Sequence, residues 1–336
     1  MFRAIIVLVL VSCSAVATPA VADNTLAMVR AKGLLRCGVV AQQQDFDWRD
    51  THGDIAAFGR DMCSAVAAAV LGTAKGLRIA AFPDAPHGLQ ALQDHAIDLL
   101  YGVSPRMGWA HRYAVDFGEP VFFEGQGVMV SAQSGMTRLA DLANQPVCFI
   151  GNTPAEAGLR AAFTQRGIAL KPFPFQETGE MEAALVTGHC KAETADTSAL
   201  AADRTGFHGL QHHFVILPEL LTLDPYVPAV RANDTAWRRA VDASYFTLVQ
   251  AEQANLTMQN VAARAAEANP SALLEKPGSG APLGLADGWR AAELAQTGNY
   301  GEIYQRDLGD MSPLRLPRGL NRPWAEGGML WAPPLD

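Results

Sequence analysis

Apolar positions along the chain switch repeatedly between two periods, one suited to strands and one to helices. Residues 26–32 carry a short helical pattern, and 34–40 form a compact apolar run after Gly33 that reads as a strand. A polar and aromatic stretch, 45–54, reads as a loop. Residues 57–71 place apolar side chains at helical spacing and stop at Gly72, a common helix terminator. Residues 77–82 then read as a strand, 88–93 as a helix and 97–101 as a strand. This β–α–β–α–β order predicts an α/β unit with a mainly parallel sheet.

The same rhythm begins again further along. After a helical turn at 139–142, residues 146–150, 170–175 and 192–195 read as strands, and 154–166, 180–187 and 197–204 as helices. Extended segments at 125–130 and 226–231 flank this second unit and read as crossings between two lobes. The first lobe would comprise 23–124 with 230–336, and the second 125–229. Helices are expected at 235–254, 257–268 and 284–297, followed by an irregular tail rich in Pro, Arg and Trp. Two α/β lobes joined by two crossings describe a hinged clamp, whose cleft is the natural place for a ligand.

Composition narrows the class. The chain has 336 residues, 49% of them hydrophobic, with formal net charge −8. That is too apolar for a disordered chain, and the acidic balance argues against a nucleic-acid partner. At the N-terminus, Arg3 precedes an apolar run at 4–11, and Ala20-Val21-Ala22 precedes Asp23. A cationic start, a short apolar stretch and an A-x-A site read as a cleaved secretory signal, 1–22, and hence as export to the periplasm. The run is too short to span a bilayer. Lipid attachment at Cys13 is a rival processing mode.

Removal of the signal leaves Cys37, Cys63, Cys148 and Cys190, an even number for an oxidising compartment. Of three possible pairings, 37–63 and 148–190 are favoured, since each spans one strand–helix unit. No C-x-x-C spacing suggests a metal. His208, His212 and His213 form H-x-x-x-H-H, but the apolar run 214–217 reads as a strand and spoils the helical spacing a metal site would need. No metalloprotease, nucleophile-elbow or phosphate-loop motif is present, and no cofactor is expected.

Several stretches carry a resemblance: Gln126-Gly-Val-Met-Val130, Ala229-Val-Arg231, Gly298-Asn-Tyr-Gly-Glu-Ile-Tyr304, Arg318-Gly-Leu-Asn321, and Gly327-Gly-Met-Leu-Trp-Ala-Pro-Pro334. With the cysteine placement, they resemble the bacterial extracellular solute-binding proteins (family 3) of polar amino-acid ABC transporters, and within them the general L-amino-acid-binding subgroup. The resemblance implies a type II periplasmic-binding-protein fold with a helical C-terminal extension. It implies a monomeric receptor that closes on an amino acid or small carboxylate and delivers it to an inner-membrane permease, without catalysis.

A zwitterion taken from water needs both charges compensated. On the family pattern, Asp196 would bind the ammonium, a role compatible with the plainer one of N-cap to the following helix. Thr153 would meet the carboxylate at a helix start, with Pro154 where a second threonine is common. In the first lobe the carboxylate fork would be Arg112, with His111 or Arg106 as alternatives, beside Ser104 at a strand end. Tyr101 and Gly59 stand where a small polar residue and an aspartate are usual. Phe46, or else Trp48, would stack on the ligand. By analogy with a cyclohexadienyl dehydratase of the same bilobed architecture, Glu193 would be an acid catalyst; a non-transport periplasmic sensor is a further alternative.

Overall fold

A computed structural model describes residues 24–41, 55–207, 209–275 and 280–334. The expected signal with Cys13, the aromatic loop with Phe46 and Trp48, and His208 lie outside the described residues. In chain order the first elements are α1 (Thr25–Lys32), β1 (Leu35–Val40), α2 (Ile55–Leu71), β2 (Leu77–Phe82), α3 (Ala85–Gln93) and β3 (Leu99–Val103). Local chemistry sets several ends. The Asn24 side chain accepts a hydrogen bond from the Ala27 amide, and Gly33 closes α1 at φ +60°. Asp84 caps α3, with Pro86 in the first turn.

There follow α4 (Met107–Arg112), β4 (Val115–Phe117), β5 (Phe122–Glu124), β6 (Gln126–Ser131), β7 (Pro146–Ile150), α5 (Pro154–Gln165), β8 (Lys171–Phe175), α6 (Thr178–Val186), β9 (Ala192–Asp196) and α7 (Thr197–Gly206). The chain continues through β10 (Phe214–Ile216), β11 (Asp224–Arg231), α8 (Thr235–Gln253), α9 (Val261–Ala265), α10 (Ala272–Glu275), α11 (Trp289–Thr297) and α12 (Tyr300–Asp307). The strands form two sheets. One runs β2-β1-β3-β11-β4, with β5 also on β11; the other runs β10-β6-β9-β7-β8. Each has parallel strands at one side and antiparallel strands where the chain crosses between lobes. Among the described residues, no helix is long and apolar enough to cross a membrane.

The first lobe buries its sheet on both faces. Alternation along β3 sends Leu99 and Tyr101 towards α2 and α8 and Leu100 towards α3, and an irregularity in the pairing with β11, at Gly102 (φ +84°), returns Val103 to the face of Leu100. α2 is rich in alanine and buries Ala56, Ala65 and Ala69 closely against that core. Gly59 belongs to this contact: a Cβ there would stand 3.2 Å from Val39 Cγ1. The Arg231 of the sequence motif is structural. Its buried guanidinium donates to the Ile97 carbonyl (2.8 Å) and to Thr25 Oγ1 (2.7 Å), while Arg36 forks buried Asp98 at 3.0 and 2.5 Å.

Cys37 on β1 meets Cys63 on α2 at disulfide distance, with Cα atoms 6.1 Å apart; Cys148 on β7 meets Cys190, just before β9, at 5.9 Å. The C-terminal part departs from expectation in several places. The helix expected over 257–268 contracts to α9, a short α10 follows it, the helix expected over 284–297 begins only at Trp289 as α11, and α12 forms inside the stretch read as an irregular tail. Asn299 and Glu302 start α12 with a reciprocal pair of hydrogen bonds, each 2.9 Å, a signal present in the sequence as N-x-x-E.

The tail beyond α12 is tied to both lobes. Arg318 forks Glu252 of α8 at 2.9 and 3.2 Å, and Tyr304 of α12 donates its hydroxyl to the Pro317 carbonyl at 3.0 Å. The Asn321 amide pairs with both backbone groups of Phe123 on β5. From the second lobe, Arg204 of α7 donates to the Leu314 carbonyl at 2.5 Å.

Candidate functional site

The C-terminal ends of parallel strands are where an α/β sheet presents loops and helix starts to a ligand. In the second sheet, β7 and β9 are parallel neighbours, so Thr153, three residues past β7, and Asp196, at the end of β9, come from adjacent strand ends. In the first sheet, β3 ends just before Ser104. The Ser104 hydroxyl donates to Asp224, which opens β11 as the chain returns from the second lobe. Ser104, Asp224 and Asp196 thus gather about the crossings, where β5 pairs β11 and β6 pairs β9.

Asp196 sits in the N-cap position of α7, yet its side chain makes no capping hydrogen bond. Glu124, from the first crossing, does that work instead. Its fully buried carboxylate accepts from the Thr197 amide (3.1 Å), the Ser198 amide (3.3 Å), the Gly125 amide (3.0 Å) and the Thr197 hydroxyl. Burial raises the Glu124 pKa, an effect these donors offset only in part. The bland role expected for Asp196 is therefore taken by another residue, and its carboxylate is left available.

Asp196 is exposed to solvent, but protein surrounds it closely enough that loss of hydration raises its pKa, with Asp224 adding like-charge repulsion. The Tyr226 hydroxyl feels the same field: after burial, the carboxylates of Glu124, Asp196 and Asp224 raise its pKa. An electronegative floor of this kind favours a cationic group.

Thr153 caps α5. Its hydroxyl donates to the Ile150 carbonyl (2.7 Å) and accepts from the Glu156 amide (3.4 Å). Gln126 braces the same corner, its side-chain nitrogen donating to the Ala155 carbonyl (2.7 Å) and to Thr194 (2.9 Å).

Other expected residues lie elsewhere. Tyr101 is sealed in the first lobe at 1% exposure. It shares the face of β3 that carries Leu99, and its nearest charges are Asp242 and Glu293, not the crossings. That placement removes it from the ligand group. Arg112 and His111 occupy the last turn of α4. The Arg112 guanidinium packs 5.5 Å from the Tyr113 ring and lines a surface hollow with Pro86, His87 and Gln90, all from the first lobe. Arg106, at the N-cap of α4, lies only two residues beyond Ser104; its guanidinium packs 4.9 Å from the Trp109 ring.

Glu193 points to the other face of β9 and is fully buried, so it cannot meet a ligand at the strand ends. Among the described residues neither of its oxygens has a hydrogen-bond partner, and burial, with Asp203 and Glu182 nearby, pushes its pKa up to about 8. Among the described residues, no group of three His, Cys, Asp or Glu side chains is arranged to hold a metal ion.

No protein-family model matches the chain. It is 33% identical to the general L-amino acid-binding periplasmic protein AapJ of Rhizobium johnstonii, over 96% of this chain and 95% of that one. It is 30% identical to the glutamate/glutamine/aspartate/asparagine-binding protein BztA of Rhodobacter capsulatus, over 97% of each. A Brucella ovis ABC transporter periplasmic binding protein, solved with glutathione bound, superposes with a TM-score of 0.72 at 30% identity, over 92% of this chain and 98% of that one. A Streptococcus thermophilus polar amino-acid substrate-binding protein shares the fold at a TM-score of 0.53 and 14% identity, over 69% of this chain and 86% of that one.

Proposed function

The chain belongs to the periplasmic binding proteins of amino-acid ABC transporters, and from that premise we propose that it binds an amino acid, or a small molecule with the same ammonium and carboxylate, between its lobes. Delivery of the guest to an inner-membrane permease completes the role. The observation that carries the reading is Asp196, whose carboxylate faces the crossings while Glu124 caps the helix in its place. Asp224, held by Ser104 at the start of a strand of the first sheet, adds a second negative charge across the crossings. Glutathione, the ligand of the Brucella relative, presents the same α-ammonium and carboxylate pair, which fits this arrangement.

For the carboxylate we assign Arg106. Ser104 anchors the chain at the crossings, and Arg106 is two residues away. α4 leads to β4, whose Val115 pairs with Arg231 at the end of β11 away from Asp224, so Arg112 lies further from the crossings. Thr153 and the start of α5 face the carboxylate from the other side. Residues 1–22 act as an export signal, the two cysteine pairs are oxidised in the periplasm, and the receptor works as a monomer. Titration calorimetry against the common amino acids tests the assignment. Arg106→Ala is expected to raise Kd at least tenfold and Arg112→Ala less than threefold; the reverse order would return the fork to Arg112.

A further inference from the structure

A second charged feature lies away from the interlobe site, at the seam between α7 and the C-terminal tail. A hollow of about 590 Å³ is lined there by Arg204, Thr205, His212, Phe214, Pro313 and Arg315, among others. Two arginines and an imidazole face it, and none of its described lining residues is a carboxylate. In a chain with an acidic excess, that is a local reversal of sign. Arg315 and Arg204 are close enough for Arg315 to oppose the charge on Arg204. Neither arginine pairs with a carboxylate among the described residues. Arg204 uses one nitrogen on the Leu314 and Arg315 carbonyls (2.5 and 3.3 Å), leaving its other donors without a described partner. Arg315 is held at φ +44°, a backbone conformation L-residues adopt at a cost.

We propose that this seam is a binding site for a small oxyanion of the phosphate, sulfate or carboxylate class, held between Arg204 and Arg315. A guanidinium presents paired N–H donors that match two oxygens of such an ion. An anion there relieves the repulsion between the two cations. Because Arg204 belongs to the second lobe, and Arg315 to a tail fastened to the first through Arg318 and Glu252, the ion joins elements of both lobes.

Inorganic phosphate is the probe, read by calorimetry and by melting temperature against chloride at matched ionic strength. The full chain is expected to bind phosphate saturably. Arg315→Gly, which removes the charge and suits the left-handed backbone, is expected to raise Kd at least tenfold without lowering the melting temperature. Arg315→Lys is expected to recover part of the loss, and Asp196→Ala to bind phosphate as the parent does. No saturable binding by the parent, or equal binding by Arg315→Gly, overturns the proposal. The Asp196→Ala arm keeps that failure separate from any failure of the amino-acid site.

Discussion

Asp196→Ala is expected to raise the dissociation constant for the amino-acid ligand by about 30-fold or more, while the unliganded protein stays folded. Truncating one partner of a desolvated charge pair costs about 2–5 kcal/mol, because the ligand ammonium is then buried without a counter-charge. At about 1.4 kcal/mol per decade, the lower end of that range is already a factor of roughly 30. Little stability goes with it, since the first amides of α7 are held by Glu124 and not by Asp196. Removal of a carboxylate also lifts the repulsion on Asp224. Calorimetry and a melting curve on the same preparation check both halves. Unchanged affinity would mean that the ammonium sits elsewhere.

The second large effect concerns stability. Glu193→Met is expected to stabilise the protein at pH 7–8 by about 2–3 kcal/mol and to flatten its dependence on pH. The native carboxyl holds its proton up to about pH 8 because both oxygens are buried without partners among the described residues and Glu182 and Asp203 lie nearby. In the unfolded chain the same group releases its proton near the ordinary value of 4.5. Unfolding therefore releases a proton between those values. This contribution to stability is complete below pH 4.5, declines as pH rises, and levels off above about 8. At pH 7 the accumulated loss is on the order of 3 kcal/mol. Asp307, raised to about 8, and Asp203 and Asp242, raised to about 6, act in the same direction. Denaturant unfolding from pH 5 to 9 should show the parent losing stability and the variant losing less. A parent curve that is flat or rising over that range would contradict this assignment.

The two-lobed architecture was legible because burial on both sheet faces leaves short apolar runs, separated by helical spacing and glycine stops. Asp196 was singled out by the family pattern, at a strand end. That another residue caps the helix after it was not legible, since that residue, Glu124, lies 72 positions earlier and no local pattern relates the two. Tyr101 was expected near the ligand from the family pattern alone. Strand alternation puts it on the face of Leu99, towards α8, and only the packed sheet shows which face that is. The sequence left Arg112, His111 and Arg106 open, because α4 is a six-residue helix with no side-chain cap at its start and hence no sequence signal for where it begins. Arg231 and Gly59, conspicuous in the sequence, turned out to serve packing and buried hydrogen bonds.

The ammonium contact can be tested on the unaltered protein. Once calorimetry has identified an amino acid that binds, the same titration is repeated with the matching acid in which hydrogen replaces the α-amino group. If Asp196 and Asp224 hold the ammonium, the deaminated acid loses at least 30-fold in affinity. Equal binding of the two compounds would contradict the account.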